Sequence, residues 1–337
     1  MIAIDDVANL RDKKLDLLAM LYKDPILCGQ YLFPNHFFLP VARWHKKYIR
    51  FLAEGHKYSL IVAPRGHAKT TCTQFYHIVP RILFKQEKYI LIISNTYDQA
   101  TKIIKSLEME LATNERLIGL FGQLKGDVWR EDQFTTTTGV YVQAVGGGQK
   151  IRGFKYGETR PTLIYIDDME NDLNVKNEDQ RDELIKWFYG AVLPALSVDG
   201  KIIITGTILH YDSLLMRLSV DEGWNKLWFS AEVNADKKIP LWKEMKDWDE
   251  LMKIKQSYYN VGLIDQYNCE YLNDPVPSEA GAFQKSYFRY FTDEEVKLSD
   301  LNKVIITDFA FSDNAKSDYN VVMVCGMDGL GKAYVID

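Results

Sequence analysis

A lysine and threonine pair follows the first long apolar run of the chain. Lys69 and Thr70 come directly after the segment 63–68 (Ala-Pro-Arg-Gly-His-Ala), which ends the strand-like run Tyr58–Ala63 and opens a helical pattern. Backbone N–H groups at a helix N-terminus bind phosphate, a lysine there reaches the outer phosphates of a nucleotide, and a threonine hydroxyl is a ligand for Mg²⁺. The order of strand, loop and helix therefore predicts a phosphate-binding loop.

The loop departs from the usual pattern G-x-x-x-x-G-K-[ST], because Ala63 and Ala68 stand where glycines are expected. An isolated Ala-Lys-Thr tripeptide is also compatible with an ordinary helix start that carries a solvated lysine. The residues predicted to bind the nucleotide are Pro64, Arg65, Gly66, His67, Ala68, Lys69, Thr70 and Thr71.

Three acids follow a second apolar run, Thr162–Ile166. We predict that Asp167, at the end of this strand, holds Mg²⁺ and that a neighbouring carboxylate orients or deprotonates the attacking water. Asp168 is favoured for this second role because it is adjacent, and Glu170 is the alternative. A surface turn after a core strand would explain one acid more readily than three in four residues.

A third apolar run, Lys201–Thr205, continues into Gly206 and Thr207. It places two hydroxyls at the carboxyl end of a strand, where ligands bind in open α/β sheets. Three strand ends thus carry Lys-Thr, Asp-Asp and Thr-Gly-Thr, and together they favour a nucleoside-triphosphatase that depends on Mg²⁺.

Two arginines are candidates for stabilising the transferred phosphoryl group, a contribution worth roughly 10³–10⁵ in rate. Arg65 lies inside the loop and would act within the same chain. Arg152 lies in the glycine-rich segment 146–153, just before the acidic strand, and a purely structural role for it is equally compatible with the sequence.

Short β-rich runs alternate with helical patterns from Tyr58 onward, which is typical of an α/β fold with a mostly parallel sheet covered by helices. The predicted strands are Tyr58–Ala63, Tyr89–Ser94, Val140–Ala144, Thr162–Ile166 and Lys201–Thr205. The predicted helices are Lys69–Leu83, Tyr97–Ala112 and Asp179–Leu196.

The sequence predicts four parts. Residues 1–57 form a helical lead-in, 58–272 an ATPase domain with its own C-terminal subdomain, 273–285 a linker rich in proline, and 286–337 the start of a second α/β domain. Strand-like runs in the last part are Lys303–Thr307, Val321–Gly326 and Lys332–Ile336. So short a unit is small for an independent domain, and we expect it to be truncated.

Composition narrows the class of protein. The net charge of −5 argues against a surface that is basic throughout, so nucleic acid would have to bind a local patch. The cysteines are far apart, which favours neither a zinc site nor a disulfide framework and fits a reducing compartment: Cys28, Cys72, Cys269 and Cys325. With no signal-peptide pattern and no apolar run of ~20 residues, we expect a soluble intracellular protein without a membrane span.

With these residues in place, the chain resembles the large terminase subunits of tailed bacteriophages. The resemblance rests on the aromatic and histidine-rich segment Phe37–His45, the Walker A loop A-P-R-G-x-x-K-T, the I-R-G segment, the Walker B strand I-D-D-x-E-N and the T-G-T strand, in family order. It implies a P-loop ATPase fold of the additional-strand type, with Tyr89–Ser94 between the Walker strands. It also implies adenine contacts from Trp44 and His45, and a coupling role for Thr205, Gly206 and Thr207.

The resemblance further implies that the second domain begins a nuclease with an RNase H-like fold. Residues 303–310 look like its first strand, with Asp308 as the first metal ligand, and Ser317–Tyr319 resembles the polar turn that follows. Two-metal cleavage needs several converging carboxylates, and this sequence supplies the first one. We therefore expect weak or no cleavage. The implied cofactors are ATP and Mg²⁺, with Mg²⁺ or Mn²⁺ for the nuclease.

The function implied by the resemblance is viral DNA packaging, in which ATP hydrolysis drives double-stranded DNA into the procapsid and the nuclease domain cuts concatemeric DNA. The implied partners are double-stranded DNA, the portal protein, the small terminase subunit and further copies of the chain in a ring. The implied location is the host cytoplasm, with transient docking on the portal. The alternatives are a DNA helicase or remodelling ATPase, and a regulatory nucleotide-binding protein without hydrolysis.

Overall fold

A computed structural model of the chain describes residues 4–275, 289–292, 295–308 and 321–336. The chain divides into two compact units, Met1–Ser278 and Glu279–Asp337, and each is described by itself. Within the described residues, no helix combines the length and the apolar character that crossing a membrane requires.

The first unit is built on a central sheet of eight strands. In chain order they are β1 (Tyr58–Val62), β2 (Tyr89–Ser94), β3 (Lys125–Arg130), β4 (Gln133–Thr136), β5 (Tyr141–Gly146), β6 (Leu163–Asp167), β7 (Lys201–Gly206) and β8 (Asn225–Trp228). Their order across the sheet is β3-β4-β5-β2-β6-β7-β1-β8. All pairs from β5 to β8 are parallel, and β3 and β4 add an antiparallel hairpin at one edge. The predicted α/β class with a mostly parallel sheet is confirmed.

Helices surround this sheet. They are α1 (Ile4–Lys23), α2 (Pro25–Leu32), α3 (Arg43–Glu54), α4 (Lys69–Thr73), α5 (Val79–Leu83), α6 (Tyr97–Thr113), α7 (Glu115–Phe121), α8 (Asp172–Lys176), α9 (Glu178–Trp187), α10 (Leu193–Ala195), α11 (Leu214–Val220), α12 (Trp248–Asn260) and α13 (Ile264–Tyr267). Wider π-helical turns follow α4, α9 and α13, at Gln74–Ile78, Phe188–Val192 and Asn268–Leu272. A two-stranded ribbon, β9 (Glu232–Asn234) and β10 (Ile239–Pro240), precedes α12.

Both faces of the sheet are buried, which explains why its central strands are continuously apolar. Successive residues of a strand point to opposite faces, so Ile61 joins the core that packs against α3 and α6, while Leu60 and Val62 join the core that contains residues of α11. A third, smaller core unites Ala231, Leu251 and Tyr267. This last cluster belongs to the segment that follows β8.

One topological prediction is wrong. In the sheet, the strand that lies between β1 and β6 is β7, whereas the predicted Tyr89–Ser94 is β2 and lies on the far side of β6. Chain order does not give spatial order here, because β7, the last of these strands in the chain, lies between β6 and β1. The hairpin β3–β4 and the edge strand β8 were not predicted at all.

The second unit contains a three-stranded antiparallel sheet in the order β11-β12-β13. Its strands are β11 (Asn302–Asp308), β12 (Val321–Met327) and β13 (Ala333–Val335), and a 3₁₀ turn at Leu298–Asp300 precedes them. Asp308 ends β11, where its backbone pairs with Val321. The Asp308 side chain, the predicted turn Ser317–Tyr319 and residues 276–285 of the predicted linker lie outside the described residues.

Candidate nucleotide site

The three polar strand ends meet at one edge of the sheet. Strands β1, β7 and β6 are parallel neighbours, so their carboxyl ends lie side by side. In this register Thr205 pairs with Ile61 on one side and with Asp167 on the other. The topology therefore brings the predicted loop, the acidic strand end and the Thr-Gly-Thr segment into a single site.

The loop between β1 and α4 requires two residues with positive φ. Gly66 has φ +72°, which costs a glycine little, but Ala68 has φ 57° at the N-cap of α4. A non-glycine residue in this left-handed region is strained by about 1–2 kcal/mol. The loop thus keeps the backbone shape of a phosphate-binding loop at a position where the sequence lacks the usual glycine.

Lys69 is buried at the first turn of α4. Its Nζ donates to the Ala63 carbonyl and to Thr207 Oγ1, both at 2.8 Å, and lies 4.0 Å from the Asp168 carboxylate. Burial lowers the pKa of this lysine, while the negative charges of Asp168 and Asp167 oppose that shift. The ammonium is therefore held mainly by neutral acceptors, which a phosphate group can replace.

Asp167 joins all three strand ends. Its carboxylate accepts hydrogen bonds from Thr70 Oγ1 at 2.8 Å, Thr205 Oγ1 at 2.7 Å and Tyr165 Oη at 2.6 Å. Burial and the neighbouring Asp168 charge raise its pKa to about 6. A carboxylate and a threonine hydroxyl in contact at a phosphate site fit Mg²⁺, which is usually held by one or two protein oxygens, water and substrate phosphates. Tyr165 was not predicted, because its alternating position in the strand looked purely structural.

Asp168 faces the open side of the site. Its φ of 43° is unusual for a non-glycine residue, and its N–H donates to the Thr205 carbonyl at 3.0 Å. This turn leaves its carboxylate about half exposed, at 51%. It contributes to two polar cavities, one lined also by Arg65, Asn95, Gln99, Glu170, Thr207 and Glu270, the other by Thr70, Gln74, Ser94, Gln99, Lys102 and Asp167.

Glu170 also lines the first of these cavities, but its carboxylate is bonded to α11. Its Oε1 accepts from the Leu214 N–H at 2.7 Å and its Oε2 from the Leu215 N–H at 3.4 Å, so the carboxylate caps the first turn of α11. Burial raises its pKa to about 7, and the bonds from α11 partly offset that shift. Both oxygens are thus committed to α11, which makes Asp168 the better placed of the two candidate acids.

The two candidate arginines differ in position. Arg65 lines the cavity that contains Asp168, and its Nη1 donates to Glu270 Oε1 at 2.7 Å. Arg152 is exposed, and its Nε donates to the Gly190 carbonyl at 2.8 Å, on the π-helical turn after α9. The structure therefore brings Arg65 to the site, whereas the contact described for Arg152 anchors it elsewhere on the same unit.

Trp44 and His45 lie in the first turn of α3, inside an aromatic cluster beside the loop. Trp44 contacts His67 and Trp242 edge to face, and the His45 ring lies 4.4 Å from the Trp242 ring. Burial lowers the pKa of both His45 and His67 to about 4, so both rings are neutral near pH 7. These two predicted residues are therefore packed against the loop rather than exposed beside it.

A small apolar cavity separates this cluster from the start of α4. It is lined by residues 36–41, His45, Ala68, Cys72, Tyr76 and Trp242. Among the described residues that line this cavity, the buried His45 Nε2, Tyr76 Oη and Trp242 Nε1 have no hydrogen-bond partner. Unpartnered buried polar groups are costly and call for an explanation, such as a bound molecule. Sequence reasoning missed Tyr76 and Trp242, since neither belongs to a recognisable motif.

Glu270 and Asn273 are further contacts that the sequence did not indicate. Glu270 pairs with Arg65, as described above. Asn273 has φ 56°, is buried, and its Oδ1 accepts from the Ile208 N–H at 3.0 Å. The predicted linker begins at Asn273, yet this residue is anchored in the first unit. The turn residues and prolines that suggested a linker also suit a helix end, which is what Asn273 forms.

Comparison with known proteins shows similarity of fold. No protein-family model and no curated protein sequence matches the chain. Among solved structures, the HK97 bacteriophage large terminase is similar with a TM-score of 0.50 and 12% identity over 88% of this chain and 63% of that one. The large terminase of the thermophilic bacteriophage D6E in complex with ADP gives 0.45 and 13%, over 88% and 69% of the two chains. The Thermus phage P74-26 large terminase ATPase domain gives 0.42 and 14%, over 68% and 93%.

The chain spans less than two thirds of the HK97 large terminase. At 12% identity the similarity establishes a shared fold. The predicted resemblance to large terminases is therefore confirmed at the level of the fold.

Proposed function

We propose that this chain is the ATPase of a large terminase, which hydrolyses ATP to move double-stranded DNA into a procapsid. One observation carries the proposal: Thr70 and Asp167 are in contact at 2.8 Å, beside the buried Lys69 and the half-exposed Asp168, at one edge of the central sheet of a chain similar in fold to the HK97 large terminase. Within one site, Lys69 provides a cation to bind phosphate, Thr70 and Asp167 provide two oxygen ligands for a metal ion, and Asp168 provides an accessible carboxylate.

In this proposal the nucleotide phosphates bind the loop 64–71 through the N–H groups of residues 66–71 and through the Lys69 ammonium, which exchanges its bonds to Ala63 and Thr207 for phosphate oxygens. The base enters the cavity beside Trp44, His45 and Trp242, and the unpartnered Trp242 N–H donates to a ring nitrogen. Thr70 and Asp167 hold Mg²⁺, which would polarise the phosphoryl group and neutralise its charge. The positions of these residues, described above, support each of these roles.

Asp168 orients and deprotonates the attacking water, because its carboxylate faces the open cavities. Lys69 and Arg65 neutralise the charge that develops on the transferred group. Thr205 bonds to Asp167 and Thr207 bonds to Lys69, so the Thr-Gly-Thr segment contacts both the metal-binding acid and the phosphate-binding lysine. This double contact supports a coupling role for Thr205, Gly206 and Thr207.

The remaining parts of the proposal come from the resemblance. They are assembly into a ring on the portal protein, the small terminase subunit as a partner, a cytoplasmic location in the host, and a nuclease domain that starts in residues 286–337, has Asp308 as its first metal ligand and uses Mg²⁺ or Mn²⁺. Arg152 stays the second candidate for stabilising the transferred phosphoryl group.

The test is ATP turnover with Mg²⁺, measured with and without double-stranded DNA, in the parent chain and in Asp168→Asn. We expect Asp168→Asn to lower kcat by roughly 10²–10³ while the Kd for ATP stays within about threefold, since the water-activating group is lost and the phosphate contacts remain. Glu170→Gln is the matched control. It should keep most turnover and lose about 1 kcal/mol of stability, because it weakens the cap of α11.

Other results would redirect the proposal. Near-normal turnover in Asp168→Asn with a collapse in Glu170→Gln would move the catalytic role to Glu170. ATP binding without turnover in the parent chain would indicate a regulatory nucleotide-binding protein. Unwinding stimulated by single strands, with no packaging into procapsids, would indicate a helicase.

A further inference from the structure

The segment Asn268–Asn273, which we call the clasp, contacts the nucleotide site from the end of the first unit. It consists of the π-helical turn Asn268–Leu272 and of Asn273, whose φ of 56° ends the helix. One part of the clasp contacts the phosphate-binding loop, and another contacts the residues that follow Thr207. It is therefore connected to both sides of the site.

Glu270 holds Arg65 at two points. The Arg65 N–H donates to the Glu270 carbonyl at 2.9 Å, and Arg65 Nη1 donates to Glu270 Oε1 at 2.7 Å. The Glu270 side chain is almost fully buried, at 3% exposed, whereas the Arg65 side chain is 68% exposed. The carboxylate also accepts weaker bonds from Tyr258 Oη at 3.3 Å and Gln266 Nε2 at 3.4 Å. Glu270 is thus the fixed partner, and Arg65 is the one that can leave.

The pairing has a consequence for the charge on Arg65. While Glu270 neutralises the Arg65 guanidinium, little of the positive charge of Arg65 is available to a phosphate group. Arg65 and Glu270 line the same cavity as Asp168, where the γ-phosphate would lie. A phosphate there competes with Glu270 for the same donors, because both offer charged oxygens suited to a guanidinium. ADP has no γ-phosphate and cannot compete from that position.

Asn273, at the other end of the clasp, bonds to residues on the opposite side of the site. Its Oδ1 accepts from the Ile208 N–H at 3.0 Å and its Nδ2 donates to the Phe229 carbonyl at 2.8 Å. Ile208 directly follows Thr207, whose hydroxyl accepts from Lys69. Release of the Arg65 guanidinium would therefore leave one end of the clasp bonded to the loop through the Arg65 N–H alone, while the other end stays bonded to Ile208, next to the Thr-Gly-Thr segment.

We propose that Glu270 is a positioning residue that makes Arg65 selective for ATP over ADP, because the γ-phosphate must take the guanidinium from Glu270. The inference rests on the proposed ATPase function and adds to it the step by which the site recognises the triphosphate. The same exchange loosens the hold of the clasp on the loop when ATP binds.

The test is a double-mutant cycle on the full chain with Glu270→Gln, Arg65→Ala and the double variant, measuring Kd for ATP and for ADP with Mg²⁺. We expect Glu270→Gln to tighten ATP binding by about three- to tenfold, because a partly exposed ion pair is worth about 1 kcal/mol. ADP binding should change by less than about twofold, since ADP does not recruit Arg65. In the Arg65→Ala background, Glu270→Gln should no longer affect ATP.

Two outcomes would overturn the inference. If Glu270→Gln weakens ATP and ADP binding equally, Glu270 is only structural. If Arg65→Ala leaves the preference for ATP over ADP unchanged, the guanidinium does not recognise the γ-phosphate, and this second result holds even when Glu270→Gln fails to fold. A parent chain that binds neither nucleotide would instead refute the proposed function itself.

Discussion

Two buried clusters of charged residues lie at opposite ends of the strands, and they are built differently. The amino-end cluster consists of His77, Arg81 and Glu87, before β2. Arg81 Nη1 donates to Glu87 at 2.7 Å and Arg81 Nε donates to His77 Nε2 at 2.8 Å. The carboxyl-end cluster consists of Lys69, Thr70, Asp167 and Asp168.

The amino-end cluster is closed, because its cation and its anion are in direct contact and each is nine-tenths or more buried. In the carboxyl-end cluster the closest approach of Lys69 to Asp168 is 4.0 Å, and the lysine bonds instead to a carbonyl and a hydroxyl. Charges that satisfy one another hold a fold together, whereas charges held apart remain available to a ligand. The buried Lys69 and the buried Arg81 are thus distinguished by their partners, because burial is similar in the two.

The largest effect is expected from Lys69→Ala. Removing the ammonium should lower kcat/KM for ATP by at least roughly 10³-fold, because no other buried cation reaches the phosphates from the first turn of α4 in the part of the chain described. Lys201→Ala is the matched control, since Lys201 begins β7 at the opposite end of the sheet. A loss of activity in Lys201→Ala as large as in Lys69→Ala would remove the distinction between the two clusters.

A smaller effect, on stability alone, is expected from Glu87→Gln. This change leaves Arg81 buried without its counter-charge and should lower the free energy of unfolding by roughly 3–5 kcal/mol. Urea unfolding measures this loss, and Kd for ATP should stay within about twofold when the variant is folded. A change in nucleotide affinity without a change in stability would contradict a purely structural role.

The smallest effect is expected on the stability of the fold at acidic pH. It concerns His67, which lies beside the carboxyl-end cluster. Burial lowers its pKa to about 4, with the charges of Lys246 and Lys69 adding to the shift. Its contribution to stability is fully present above the ordinary pKa of about 6.5 and is lost as pH falls through 4, on the order of 3 kcal/mol. His67→Gln cannot titrate, so its stability should fall less than that of the parent between pH 7 and pH 4.

His56→Gln serves as the comparison for that experiment, because His56 lies at the surface beside Glu54. Urea unfolding at both pH values gives the difference directly. Equal acid sensitivity in His67→Gln and in the parent would show that His67 does not contribute to it.

The sequence predicted the parts of the site that depend on local order. An apolar run followed by Asp167 and Asp168 identifies a strand and places the two acids at its carboxyl end. The run Lys201–Thr205 places Gly206 and Thr207 at the end of another strand in the same way. Because the carboxyl ends of parallel strands share one edge, these residues had to meet once the sheet was recognised. The central strands were predictable because both their faces are apolar. The helix predicted from Lys69 to Leu83 is found as α4, a π-helical turn and α5.

The sequence could not predict contacts that depend on where distant segments fold. Glu270 bonds to Arg65 although they are 205 positions apart in the sequence. Trp242 packs against Trp44 of α3 across a similar separation in the sequence. Glu170 looked catalytic because it follows two acids, but the position of α11 gives its oxygens another partner. The hairpin β3–β4 was missed because its outer strand alternates exposed and half-buried residues and carries no strong apolar run.

The wide turn at Asn268–Leu272 limits how this region can vary in length. The Glu270 carbonyl accepts from the Arg65 N–H, so the loop between β1 and α4 is bonded to a single residue of this turn. Deleting a single residue there would rotate the remaining helix by about 100° and turn both Glu270 and its carbonyl away from the loop. Insertions and deletions should therefore be tolerated in the exposed turn of the β9–β10 ribbon and excluded from these five residues.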